Sequence, residues 1–172
     1  MRWITEENVF TSVLSETNEA IRIDARIDLR KRNRLVFDSW ELCTDVFLGL
    51  LQGLMRLSRD GIAYYIVRNP DPVQYFVKEL NRYPLLEIRV DDSCEAYLAA
   101  LNEDPGGSPA DAVGINWTEY ALLPPSMKWF VRGLRDNDKG QLWIPREWTQ
   151  SVMDLYPYAS ESERPSKQKT ES

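Results

Sequence analysis

The chain has 172 residues, 43% hydrophobic and 11% aromatic, with six tryptophans, two cysteines, no histidine and a formal charge of −6. That length suits one domain, able to bury about two thirds of its unfolded surface. The lack of histidine excludes Ser-His-Asp and Cys-His nucleophile systems, His-bearing zinc sites and two-His iron sites, and two cysteines cannot complete a four-thiolate centre.

Thr5 can cap a first helix whose opening turn holds Glu6 and Glu7, with Val9, Phe10, Val13 and Leu14 on one face. Residues 21–29 then alternate apolar and polar, which predicts a strand with one wet face. The basic run Arg30-Lys31-Arg32-Asn33-Arg34 reads as a turn, and Leu35-Val36-Phe37 as a returning strand. From Asp38 or Ser39, apolar residues at Trp40, Cys43, Phe47, Leu50, Leu51, Leu54 and Leu57 predict one continuous central helix, ended by Asp60-Gly61.

A strand over 62–67, a helix opened by Asp71-Pro72 and a strand over 85–90 predict a parallel βαβ unit across 62–90. Ser93 caps the next helix, and residues 104–109 read as loop. A C-terminal β-hairpin is expected over 128–144, with Asp136-Asn137-Asp138-Lys139-Gly140 as its loop. Pro145 then opens a last helix bearing Trp148, Val152 and Leu155. The expected fold is a single α+β domain over 1–157, a mixed sheet with helices packed on it, followed by a disordered tail over 158–172. Trp40, Trp129 and Trp143 are expected in the core.

Residues 46–51, the longest apolar run, fall far short of the roughly 20 residues of a bilayer span. The N-terminus turns acidic at once, so no signal peptide, no membrane contact and a cytoplasmic location are expected. Cys43 and Cys94 fit buried thiols of a reducing compartment.

Charge is the strongest functional signal. Residues 90–127 contain no lysine or arginine but seven acids, Asp91, Asp92, Glu95, Glu103, Asp104, Asp111 and Glu119. So one-sided a stretch favours a basic partner. Trp117 and Tyr120, near Asp111 and Glu119, would supply aromatic anchors for a partner surface. Asp91, Asp92 and Glu95 could alternatively gather oxygens around a divalent cation in a carboxylate enzyme. The turn residues at 136–140 lack the glutamate that a calcium loop needs. The basic cluster at 30–34 is offset by nearby acids and a pI near 4.8, so no nucleic-acid partner is expected.

The run Leu123-Pro124-Pro125-Ser126-Met127-Lys128-Trp129-Phe130-Val131 resembles a pattern of small bacterial immunity-type (antitoxin) proteins, in which a Pro-Pro-Ser turn leads into a Trp-bearing strand and a hairpin. The resemblance covers residues 123–144, and Arg132-Gly133-Leu134-Arg135 departs from it. It implies a single α+β domain that blocks a cognate toxin by binding, without catalytic residues or cofactor. The combined expectation is a non-catalytic inhibitor that occludes a basic toxin domain through an acidic surface. The alternatives are the carboxylate enzyme and a phage- or plasmid-encoded inhibitor of a host defence complex whose acids imitate phosphates. Oligomeric state is left open.

Overall fold

The computed structural model describes residues 1–24, 32–69, 73–103, 119–134 and 138–161. Its elements run β1 (Arg2–Trp3), α1 (Glu7–Asp24), β2 (Arg32–Asp38), a 3-10 turn (Ser39–Cys43), α2 (Asp45–Ser58), β3 (Ile62–Asn69), α3 (Val73–Leu80), β4 (Leu85–Arg89), α4 (Cys94–Leu101), β5 (Glu119–Leu123), β6 (Phe130–Leu134), β7 (Lys139–Pro145), a second 3-10 turn (Arg146–Trp148), α5 (Thr149–Leu155) and β8 (Ser160–Glu161). The eight strands form one sheet in the order β1-β4-β3-β5-β6-β7-β2-β8. This is the α+β single domain expected from sequence.

The sheet is antiparallel throughout its described pairs, not mixed. The βαβ unit over 62–90 has the expected order of elements, but β3 and β4 are antiparallel neighbours, Ile62 opposite Arg89 and Ile66 opposite Leu85. The fifteen-residue connection, 70–84, is long enough for a parallel crossover, so the order of elements alone does not decide the pairing sense.

Side-chain alternation sends the two sheet faces to different layers. Tyr65, Leu86, Leu122, Val131 and Leu142 face one core, shared with α2, α4 and α5; Ile66, Leu85, Ala121, Phe130 and Trp143 face the other, covered by Phe10, Val13 and Ala20 of α1. Trp129 and Trp143 are fully buried, as expected. Cys43 and Cys94 form no disulfide, and each is only partly buried.

Three local readings change. Residues 21–24, read as strand, finish α1, because the spacing Phe10, Val13, Thr17, Ala20 carries a helical face through them; 25–29 lie outside the described residues. Thr17 is buried without penalty, since its hydroxyl donates to the Val13 carbonyl at 2.7 Å. Arg32, Asn33 and Arg34, read as turn, pair with β7 over Trp143, Ile144 and Pro145. The single central helix is broken at Thr44, whose hydroxyl accepts from the Phe47 N–H and caps α2, while Asp38 caps the 3-10 turn before it. At the other end, β8 pairs with Leu35 and Val36 of β2, and Ala159 is buried, so order extends past 157; residues 162–172 lie outside the described set. The hairpin stands, β6 against β7, although Lys139 and Gly140 already belong to β7; Asp138 takes a left-handed φ of 50°. Asp71-Pro72 and residues 104–109 and 135–137 lie outside the described residues.

One cross-strand row sets the packing under the 3-10 turn. Tyr120, Gly133, Gly140 and Phe37 stand opposite one another on β5, β6, β7 and β2. A Cβ on Gly133 would overlap the Tyr120 ring, and one on Gly140 the Phe37 ring, so the glycines are where two aromatic rings lie against the sheet. Gly140→Ala should destabilise by about 2–3 kcal/mol through overpacking, whereas Gly49→Ala, on an exposed helical site with open space around it, should stabilise by about 0.5–1 kcal/mol. Urea unfolding of the two variants checks the opposite signs.

Candidate functional site

The acids of the predicted surface divide into two kinds. Asp91 and Asp92 occupy the turn after β4, and Ser93 caps α4 by accepting from the Ala96 N–H. Asp92 is held inward: one carboxylate oxygen lies 2.6 Å from the Met1 amine and the other accepts from the Arg89 N–H at 2.7 Å. Its carbonyl accepts from Gln52 Nε2, tying the junction to α2. Asp91 and Glu95 are exposed.

Glu103 lies 2.9 Å from Arg82 Nη2 and accepts from Trp3 Nε1 at 2.9 Å. The Arg82 guanidinium in turn stacks over the Trp3 ring, 4.4 Å from its centroid. Glu119 accepts from Arg132 Nε at 3.0 Å and lies 4.0 Å from Arg68 Nε. Burial pulls the Arg68 pKa below its ordinary value, Glu119 pushes back, and neighbouring Arg132 adds to the lowering. Tyr120 is no surface anchor: its side chain is fully buried and its hydroxyl donates to the Ser39 carbonyl at 3.1 Å. Asp104, Asp111 and Trp117 lie outside the described residues.

Three of the five described acids of this stretch are therefore structural, which corrects the picture of one continuous acidic face. The cations that neutralise them, the Met1 amine, Arg68, Arg82 and Arg132, all lie outside residues 90–127, so the composition of that stretch carried no sign of them. The same geometry disfavours a cation at Asp91, Asp92 and Glu95, because both Asp92 oxygens are engaged. Among the described residues, no group of three or more His, Cys, Asp or Glu side chains could hold a metal ion.

A second acidic surface, absent from the sequence reading, forms where β2 ends. Asp38 accepts from the Trp40 N–H at 2.9 Å and starts the 3-10 turn. Trp40 is 46% exposed, against its expected place in the core, and its Nε1 donates to Asp138 Oδ1 at 2.8 Å. Glu41 is half-buried beside it, and Lys139 stands opposite Asp38 across the sheet. The antiparallel pairing of β8 with β2 brings Tyr158 to the Asp38 end, where it is 60% exposed and packs edge-on against buried Tyr156, ring centroids 5.6 Å apart. The Tyr156 hydroxyl is raised in pKa by burial first, then by the charges of Glu41 and Asp38. The hydroxyls of Tyr156 and Ser39 are both buried and have no hydrogen-bond partner among the described residues. The helical spacing of Trp40 with Cys43 and Phe47 hid this corner. A usable signal was the pair of cap residues, Asp38 and Thr44, six positions apart.

Asp92→Ala should destabilise the protein by about 1–3 kcal/mol, and Glu119→Ala by about 2 kcal/mol, because each strands groups that were paired. Asp91→Ala and Glu95→Ala should stay within about 0.5 kcal/mol. Chemical denaturation of the four variants checks this order; equal costs would contradict the division drawn above. No protein-family model matches the sequence, and no similar protein was found among curated proteins or solved structures.

Proposed function

We propose that this protein is a non-catalytic inhibitor of the immunity type, a single α+β domain that occludes a basic protein partner such as a toxin nuclease domain. The observation that carries the reading is the β4–α4 junction, where Asp91 and Glu95 stand in solvent while Asp92 between them is committed to the Met1 amine and the Arg89 N–H. Outward carboxylates on a rigid turn steer a cationic surface and speed its encounter. A catalytic carboxylate pair would need the Asp92 oxygens that the fold already uses. No described helix is long and apolar enough to cross a membrane.

Two measurements test the reading. Calorimetric titration with Mg²⁺, Mn²⁺ and Ca²⁺ should give no binding tighter than about 1 mM, weaker than dedicated cation sites; micromolar binding would favour the carboxylate enzyme instead. Where a toxic domain is encoded beside its gene, co-expression with that domain should rescue growth, and the purified protein should block that domain's activity in vitro. Failure to form a complex with that domain would end the immunity reading.

A further inference from the structure

We propose that the groove between α1 and β3 seats a lysine side chain of the protein partner, with its ammonium held by Glu16. The inference rests on the binding-protein reading and names the residue type, and the place on the molecule, through which the partner is held.

The groove has a volume of about 340 Å³. One wall is α1, where Asn8, Ser12 and Glu16 follow one another at four-residue steps along one side of the helix. Two such steps cover roughly 12 Å of helix axis. The other wall is Tyr64 of β3, on the α1 face of the sheet between Glu87 of β4 and Leu123 of β5. Val9, buried Val13 and Pro125 supply the apolar part of the lining.

The polar groups of this lining are uncommitted. Among the described residues, the side chains of Asn8, Ser12, Glu16 and Tyr64 make no hydrogen bond and no ion pair. The lining holds one acid and no base. Arg2, which stands opposite Glu87 on β1, is engaged by Glu6 at 3.3 Å and by Glu87 at 3.4 Å. Burial first, then the charge of Glu87, raises the Tyr64 hydroxyl above its ordinary pKa; Arg2 opposes the rise and Glu16 adds to it. The phenol is thus neutral, and it sits in a negative field.

Lysine fits this lining part by part. Its ammonium is a compact charge with three donors, suited to the Glu16 carboxylate and the Ser12 hydroxyl one helical turn away. Its methylene stem can cover Val9 and Val13, as long cationic side chains do on apolar surface. Asn8, at the far end of the row from Glu16, offers a donor and an acceptor to the peptide backbone that carries the lysine.

The groove also lies at the end of the sheet that bears the acidic junction. There the Val90 N–H donates to the Gly61 carbonyl at 3.1 Å, and the Ser126 hydroxyl, next to Pro125, donates to Asp60 at 2.6 Å. A partner steered by Asp91 and Glu95 therefore arrives at the groove's end of the sheet.

The test uses the full chain and the blocked tripeptide acetyl-Gly-Lys-Gly-amide, followed through backbone amide chemical shifts. The same peptide with norleucine in place of lysine is the uncharged control. Shifts should gather on residues 8–16 and Tyr64 and saturate with a Kd on the order of 1 mM. The norleucine peptide should bind at least about fivefold more weakly, and Glu16→Gln should cost the lysine peptide about as much. Ser12→Phe, which sets a ring in the groove from an exposed helical site, should abolish the shifts at Tyr64. Asp91→Asn with Glu95→Gln should change the affinity less than about twofold. Absent shifts in the groove, equal binding of the two peptides, or unchanged affinity in both groove variants each overturn the proposal. If the shifts appear at Asp91 and Glu95 instead, the binding-protein reading stands and only this site falls. Spermidine binding the groove at least about tenfold more tightly than the lysine peptide would make the occupant a free polyamine, which also overturns the proposal. The binding-protein reading itself is decided separately, by complex formation with the toxic domain.

Discussion

Two aromatic rings lying flat on two glycines determine how closely the 3-10 turn can approach the sheet. Phe37 covers Gly140 and Tyr120 covers Gly133, and the four residues form a single row across β2, β7, β6 and β5. With the rings pressed down, the Tyr120 hydroxyl reaches the Ser39 carbonyl, and Phe37 presents its face and edge to Phe47 and Tyr156. The start of α2, the segment before β8 and the turn bearing Trp40 thus converge on one support. Any side chain at either glycine would lift a ring and displace all three.

Short-range patterns in the sequence specified what depends on neighbours along the chain. Cap residues marked the start of α4, short apolar runs marked β3 and β4, and turn residues marked the hairpin of β6 and β7, because these signals act over a few residues. The pairing sense of β3 and β4 was not legible, since the same β-α-β order serves either a parallel or an antiparallel return. The alternation over 21–24 was misleading for a different reason. Once α1 has propagated from Glu7, extending it adds a hydrogen bond per residue, and a helical face already runs through Thr17 and Ala20.

Charge patterning was the least reliable guide. Asp92, Glu103 and Glu119 look like a solvated acidic run in sequence, yet each meets a cation from elsewhere: the Met1 amine, Arg82, and Arg132 with Arg68. Partly buried carboxylates need such partners, and composition within a window cannot show them. Asp91 and Glu95 are exposed. The acids at the end of β2 escaped notice because Asp38, Glu41 and Asp138 are a hundred residues apart at the extremes and are diluted by nearby bases. What unites them is the sheet order, which sets β7 beside β2.

The sheet also ends on unusually short margins. β1 and β8 contribute two residues each, so most of the rim offers little length for another chain to copy. The exception guarded by β8 is the apolar pair Leu35 and Val36, followed by Phe37, a run with strong preference for extended pairing. On its other side lie Arg32 and Arg34, whose charge discourages stacking against like strands. Proteolytic loss of β8 would therefore do more than shorten the chain: it would uncover a template for intermolecular association, opposed along that strand by the charges of Arg32, Arg34 and Asp38.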